Sequence, residues 1–367
     1  MYDDSFSSKL DRTIGDFNAE KDGPKRRKRQ MRRGHYAVHS TTTPIYYSFD
    51  TSVATKGIFV SYAGDCYTER DKENDQIFYI LLGEACTGVG GMAHEIGHVL
   101  GLDHIQNRPD RDQYIFVNET TIKAFEQQFV QMKEEEEVNY GMPYDLGSVM
   151  QYPADALYPS MIARDENYQR TMGSPFISFT DKFIVNKHYN CSESCHVIPP
   201  PKCQNHGFQD PKNCERCICP SGYGGQLCKD KPDDCGEIIE AQMSDRWTAI
   251  KLSTPDSDNS GKYNICTTWI QAASNNTEIQ VKLVDIAGGL NLTDTVGCDM
   301  GGIEIKTIDD QRLTGYRFCT NVVKDIQLNS KLIFVPIITY AKNATSMTFT
   351  LQYRAVPTNK GLNNKAI

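Results

Sequence analysis

Thirteen cysteines are spread unevenly along these 367 residues: Cys66 and Cys86 stand apart, and eleven fall between Cys191 and Cys319. Six of them, Cys195, Cys203, Cys214, Cys217, Cys219 and Cys228, occupy 34 residues, too short a stretch to close a hydrophobic core without covalent staples. That spacing predicts disulfides and an oxidising compartment. A second zinc site is the alternative, and the weaker one, because a tetrahedral site needs only four thiolates. Sequons at Asn118, Asn190, Asn275, Asn291 and Asn343 permit secretion and a glycoprotein. Residues 1–6 offer neither the basic nor the apolar region of an export signal; either the expectation of secretion fails or the true start lies upstream.

The length exceeds what one core usually organises, so two or three domains are expected. The longest apolar run, residues 332–341, is broken by Pro336 and falls short of a membrane span. A net charge of −8 argues against nucleic acid as the main partner. Positive charge is local, with seven Lys or Arg in residues 25–33. The tetrabasic Arg26-Arg27-Lys28-Arg29 reads as a processing site in preference to a nuclear-localisation or phosphate-binding patch.

Residues 1–33 therefore read as a pro-segment remnant and 34–191 as one α+β domain, with strand-like stretches at 45–49, 58–60 and 77–82 before helical patterning. A polar helix is expected from Thr120 to about Glu137, its closing run of four glutamates forming a solvated face. Residues 192–232 form a small disulfide-rich module punctuated by Pro199-Pro200-Pro201. Strands such as 279–284 and 347–351, separated by Gly, Asn and Ser turns, predict an all-β sandwich over 235–355, and 356–367 is a tail.

The chemistry concentrates in His94-Glu95-Ile96-Gly97-His98-Val99-Leu100-Gly101-Leu102-Asp103-His104. On a helix His94 and His98 share one face and can reach one zinc ion. Glu95, beside that face, can reach a water on the metal without occupying a metal position, as a general base must. If the helix continued, His104 would lie about 15 Å beyond His94 along the axis. The helix must therefore break, and Gly101 can break it. Three nitrogens leave a fourth position open, the arrangement of a catalytic zinc, one per chain. A bare H-E-x-x-H also suits an ordinary amphipathic helix. The extended spacing is the metzincin signature, and Met150, within Ser148-Val149-Met150-Gln151-Tyr152, supplies a soft apolar floor.

With these motifs the sequence resembles the astacin family of zinc endopeptidases, in the multidomain nematode form, from about Tyr36 to Cys319. Arg108-Pro109-Asp110-Arg111-Asp112-Gln113-Tyr114 is similar to the family's R-x-D-R-D-x-Y, and Tyr144-Asp145 precedes the Met150 segment as in the family. The resemblance implies a metzincin domain with the zinc helix under a mixed sheet. It implies His94, His98 and His104 as metal ligands, Tyr152 as an additional ligand that later stabilises the tetrahedral intermediate, and a Cys66–Cys86 disulfide. It also exposes departures. Ile105 stands where the family carries a glutamate that meets the mature N-terminus. Thr13 stands where an inhibitory F-x-G-D motif would have Phe ahead of Gly15-Asp16, so no aspartate switch is assigned to Asp16. Near residues 50–57 a cysteine-bearing helix of the family is missing, and Cys191 matches the position whose partner lies on that helix.

The six-cysteine segment looks like an EGF module, which implies Cys195–Cys214, Cys203–Cys217 and Cys219–Cys228. Cys235, Trp247, Cys266, Trp269, Cys298 and Cys319 resemble a CUB domain, implying Cys235–Cys266 and Cys298–Cys319, with no calcium site assigned. Such modules bind proteins or merely space the protease; fold alone does not decide. The expectation is a secreted zinc endopeptidase acting on proteins or peptides, extracellular matrix among them. The alternative is a catalytically inactive secreted interaction protein with a defective protease domain.

Overall fold

The computed structural model describes residues 47–48 and 57–358, apart from 75–76, 156, 196–198, 275, 291–295 and 323–324. The expectations for residues 1–33, their basic run and Asp16, for 50–56, for Asn275 and Asn291, and for the end of the tail lie outside the described residues.

Short apolar, β-branched and aromatic runs build the first layer. β1 (Tyr47–Ser48), β2 (Gly57–Tyr62), β3 (Tyr67–Arg70) and β4 (Ile77–Leu82) form a mixed sheet in the order β1-β2-β4-β3. β1, β2 and β4 run parallel and β3 antiparallel. Ile58, Phe78 and Ile80 pack on Val99 of the zinc-motif helix, α1 (Val89–Val99). Parallel neighbours usually need a crossover of a dozen or more residues, yet only residues 49–56 join β1 to β2. On the outer side of α1, Val89, Met92 and Ile96 are exposed. Apolar helix positions ordinarily pack on another element.

The second layer holds β5 (Ile115–Val117), α2 (Glu119–Ile122), β6 (Met161–Ala163) and α3 (Phe179–His188), gathered on a core that includes Ile115, Met150, Met161 and Ile184. Ser178 begins α3 in a capping box with Asp181. The long polar helix expected from Thr120 to Glu137 is corrected here to α2 followed by single turns at Glu126–Phe129 and Glu134–Glu136. Tertiary partners take the backbone groups that a helix would need: Phe129 O accepts from Arg111 Nη1, and Met132 N donates to Asn107 O at 2.7 Å. The glutamate run is not wholly a solvated face either, because Glu137 pairs with buried Arg108 at 3.3 Å.

The disulfides are Cys66–Cys86, Cys195–Cys214, Cys203–Cys217, Cys219–Cys228, Cys235–Cys266 and Cys298–Cys319, and Cys191 is in none of them. Two of the six, Cys195–Cys214 and Cys203–Cys217, anchor β8 (Asn213–Ile218) of the hairpin it forms with β7 (Phe208–Asp210), and Cys219–Cys228 closes the segment that follows. Phe208 packs between Phe179 and Phe183 of α3, ring centroids 5.5 and 5.4 Å away. The C-terminal part is a sandwich built from β9 (Ile238–Ala241), β10 (Thr248–Ser253), β11 (Asn264–Ala272), β12 (Thr277–Ala287), β13 (Gly301–Ile305), β14 (Tyr316–Phe318), β15 (Ile326–Ser330), β16 (Phe334–Ala341) and β17 (Thr348–Pro357). One sheet runs β10-β17-β12-β15 and the other β14-β13-β16-β11-β9. Alternate residues such as Ile279, Val281 and Leu283 of β12 enter the core they share.

Candidate metal centre

The end of α1 makes the site possible. Leu100 N still donates to Ile96 O at 2.9 Å, but Gly101 N turns to His98 O at 3.0 Å and Leu102 N to Gly97 O at 2.9 Å. Gly101 sits at φ +92°, a region that side chains with a Cβ resist. The turn sends the chain back along the helix and brings His104 opposite His94 and His98.

The three Nε2 atoms form a triangle with edges of 3.1, 3.1 and 3.2 Å. Their proton states follow from the far side of two rings. His94 Nδ1 meets Val149 O at 2.8 Å and His98 Nδ1 meets Leu102 O at 2.9 Å. A carbonyl only accepts, so each Nδ1 carries the hydrogen and each Nε2 presents a lone pair. Lone pairs at this distance repel unless a cation lies between them. Ligands of a tetrahedral zinc at 2.0–2.1 Å stand about 3.4 Å apart, close to the edges seen here. Imidazole nitrogens, carbonyl-fixed tautomers and this spacing fit zinc, and the three histidines are the one such ligand cluster among the described residues.

Met150 floors the site. It is fully buried, and its Sδ lies 2.6 Å from where a Cβ on Gly97 would stand, so the helix accepts the thioether only because residue 97 is glycine. The turn is suspended from α3: Ser148 Oγ donates to Asp181 Oδ1 at 2.6 Å and Val149 N to Asp181 Oδ2 at 3.0 Å. Ile105, the departure after the third histidine, is buried and its N donates to Met150 O at 3.1 Å.

Glu95 is buried, and its Oε2 accepts from Thr68 Oγ1 of β3 at 2.7 Å. Burial pushes its carboxyl pKa up, against the bond from Thr68. The Tyr152 ring lies 4.2 Å from that of His104 and 6.0 Å from that of His94, between centroids. Burial, then the charges of Glu95 and Asp103, raises the phenol pKa, so Tyr152 keeps its proton and remains a donor. Tyr152 N is held by Gln106 Oε1 at 3.1 Å. Sequence reasoning missed Thr68 and Gln106. The one signal for Thr68 was the Cys66–Cys86 pair, which ties β3 to the approach of α1. The R-x-D-R-D-x-Y segment is scaffold: Arg108 makes two 2.8 Å bonds to Asp110 and lies over Tyr144, on which Tyr114 stacks at 4.7 Å.

This is a site of the extended H-E-x-x-H class, three histidines over a buried methionine. Residues 15–190 match the family model described as Astacin, a peptidase family. Zinc metalloproteinase nas-31 of Caenorhabditis elegans is 40% identical over 287 residues, covering 76% of this chain and 45% of that protein. Zinc metalloproteinase nas-25 of the same organism is 32% identical over 300 residues, covering 80% and 74%. High choriolytic enzyme 1, a hatching enzyme zinc-protease from Oryzias latipes, is a solved structure with 27% identity and a TM-score of 0.34, covering 38% of this chain and 71% of that one. The chain belongs to the astacin family of peptidases. It spans less than half the length of nas-31.

Proposed function

We propose that the chain is a zinc-dependent endopeptidase acting on extracellular proteins, with one zinc held by His94, His98 and His104. The observation that carries this reading is the Nε2 triangle, with lone pairs turned inward by the carbonyls of Val149 and Leu102. Zinc, when bound, supplies Lewis acidity and lowers the pKa of water towards neutrality. Glu95 takes the proton of the attacking water and returns it to the leaving amine. Tyr152, kept protonated, donates its O–H to the developing oxyanion. The inactive alternative is not supported by a triangle this complete.

We also assign residues 192–232 to an EGF-like module and 235–355 to a CUB sandwich, in a secreted, disulfide-bonded glycoprotein. Six disulfides support an oxidising compartment, and among the described residues no helix is long and apolar enough to cross a membrane.

A quenched-fluorescence peptide assay, run with and without a zinc chelator, tests the activity. Glu95→Gln is expected to lower kcat about 10²- to 10⁴-fold with zinc content unchanged, and His98→Ala to lose the zinc itself. Undiminished cleavage by Glu95→Gln, or cleavage indifferent to the chelator, refutes the assignment.

A further inference from the structure

Asp145 lies four residues ahead of Val149, whose carbonyl orients His94, and it is 1% exposed. Four donors serve its carboxylate. Two are local: Gly147 N at 3.0 Å and Thr180 Oγ1 at 3.1 Å. The other two come from one residue of the C-terminal sandwich, Thr314, whose N donates to Oδ1 at 3.2 Å and Oγ1 to Oδ2 at 3.3 Å. Burial and the neighbouring carboxylate of Asp181 both disfavour charge on Asp145, while Lys306 and Arg317, which belong to the sandwich, favour it.

The rest of this junction is built, not grazing. Arg317 Nη1 donates to Ser174 Oγ at 2.6 Å and Arg317 N to Thr171 Oγ1 at 3.1 Å, all three residues being buried. Glu304 pairs with Arg317 at 2.9 Å and accepts from Ser221 of the small module at 3.1 Å. Lys306 Nζ donates to Ser221 O at 3.0 Å. One buried charged cluster of the sandwich thus reaches both other modules. Gly147 is in turn tight against Thr314, leaving no room for a Cβ.

We propose that Thr314 is a positioning residue for the metal centre: the sandwich supplies half the hydrogen bonds of Asp145, and through Asp145 it fixes the 145–150 turn that carries Met150 and orients His94. A buried carboxylate deprived of two of its four donors opens to water, and the turn anchored on it loosens. The consequence for zinc rests on the function proposed above; the cause rests on hydrogen bonds alone, and the test separates them.

Hydrogen exchange on the full chain, with and without zinc, is compared for the natural sequence, Thr314→Asp, Thr314→Val and Thr314→Ser. Thr314→Asp sets a second carboxylate against Asp145 and is expected to speed exchange across 145–151 about tenfold or more, while β11 and β16 keep their protection. Thr314→Val keeps the volume and the N–H and loses only the hydroxyl. It is expected to raise exchange there about threefold, and it answers the case in which Thr314→Asp unfolds the sandwich. Thr314→Ser, with the hydroxyl restored, should return the natural rate. Unchanged exchange across 145–151 in both variants overturns the proposal, as does a rise under Val that Ser fails to reverse. Zinc retained after chelator dialysis is measured on the same samples. A natural chain that holds no zinc refutes the metal assignment, and the metal-free exchange still decides the brace.

Discussion

Replacing Asp181 by alanine asks whether the turn above the histidines is held by the helix behind it. The carboxylate is 2% exposed and accepts from Ser148 Oγ at 2.6 Å, Val149 N at 3.0 Å and Ser178 N at 2.9 Å. Stranding a buried donor costs about 1–3 kcal/mol, so three donors set a ceiling near 9 kcal/mol. Water entering the vacated space recovers part of that. A loss of about 3–5 kcal/mol, the lower half of that ceiling, is the working figure. Against a total stability of about 5–15 kcal/mol, the domain should unfold at far lower urea, followed by far-UV circular dichroism at neutral pH. Ser148→Ala alone should cost less, and the double variant should fall short of the summed effects by about 1 kcal/mol, because the two share a bond. Zinc should also leave more readily, since Val149 O orients His94. A loss below about 1 kcal/mol with strict additivity would show that the turn stands without α3.

Gly101→Ala places a Cβ at φ +92°; a strain of about 1–3 kcal/mol and a displaced His104 are expected, read as lower zinc content and melting temperature, and no change in either would sink the account of the helix break. Acid should act on the sandwich through Glu304. Burial pushes its pKa up, but the charges of Arg317 and Lys306 and the bond from Gly315 N outweigh that and hold it below the usual value. A lowered pKa contributes stability that is full above the unfolded value of about 4.3 and is lost as pH falls through the folded one. Fluorescence of Trp247 and Trp269, both in the sandwich, should report that loss, and Glu304→Gln should flatten it while lowering stability at neutral pH. Asp145 and Asp181 have the opposite sign: their pKa values are raised, chiefly by burial, so they lend stability in acid that fades as pH rises.

The site was legible where local geometry alone decides it. Two histidines four apart, a glutamate beside them and a glycine before the third histidine specify a helix, its end and a convergence point, whatever surrounds them. The strands over 58–60 and 77–82 were legible for a similar reason, as short apolar runs between turn residues. β3 was not, because Tyr-Thr-Glu-Arg has no apolar alternation and is a strand only through pairing with β4. The polar stretch after Thr120 reads as a helix until Arg111 and Asn107 claim its backbone. Val149 O and Leu102 O, which fix the imidazole tautomers, are main-chain atoms that every residue type possesses. Thr314 is an ordinary threonine until folding sets it against Asp145.

The bond between those two residues also has a place in time. Asp145 precedes Thr314 by 169 residues, which a ribosome adding about 5–20 residues per second covers in roughly 10–30 s. For that interval the turn over the histidines has only two of the four donors to Asp145 in place. The turn is finished from the sandwich backwards, so synthesis itself separates the making of the metal centre from its completion.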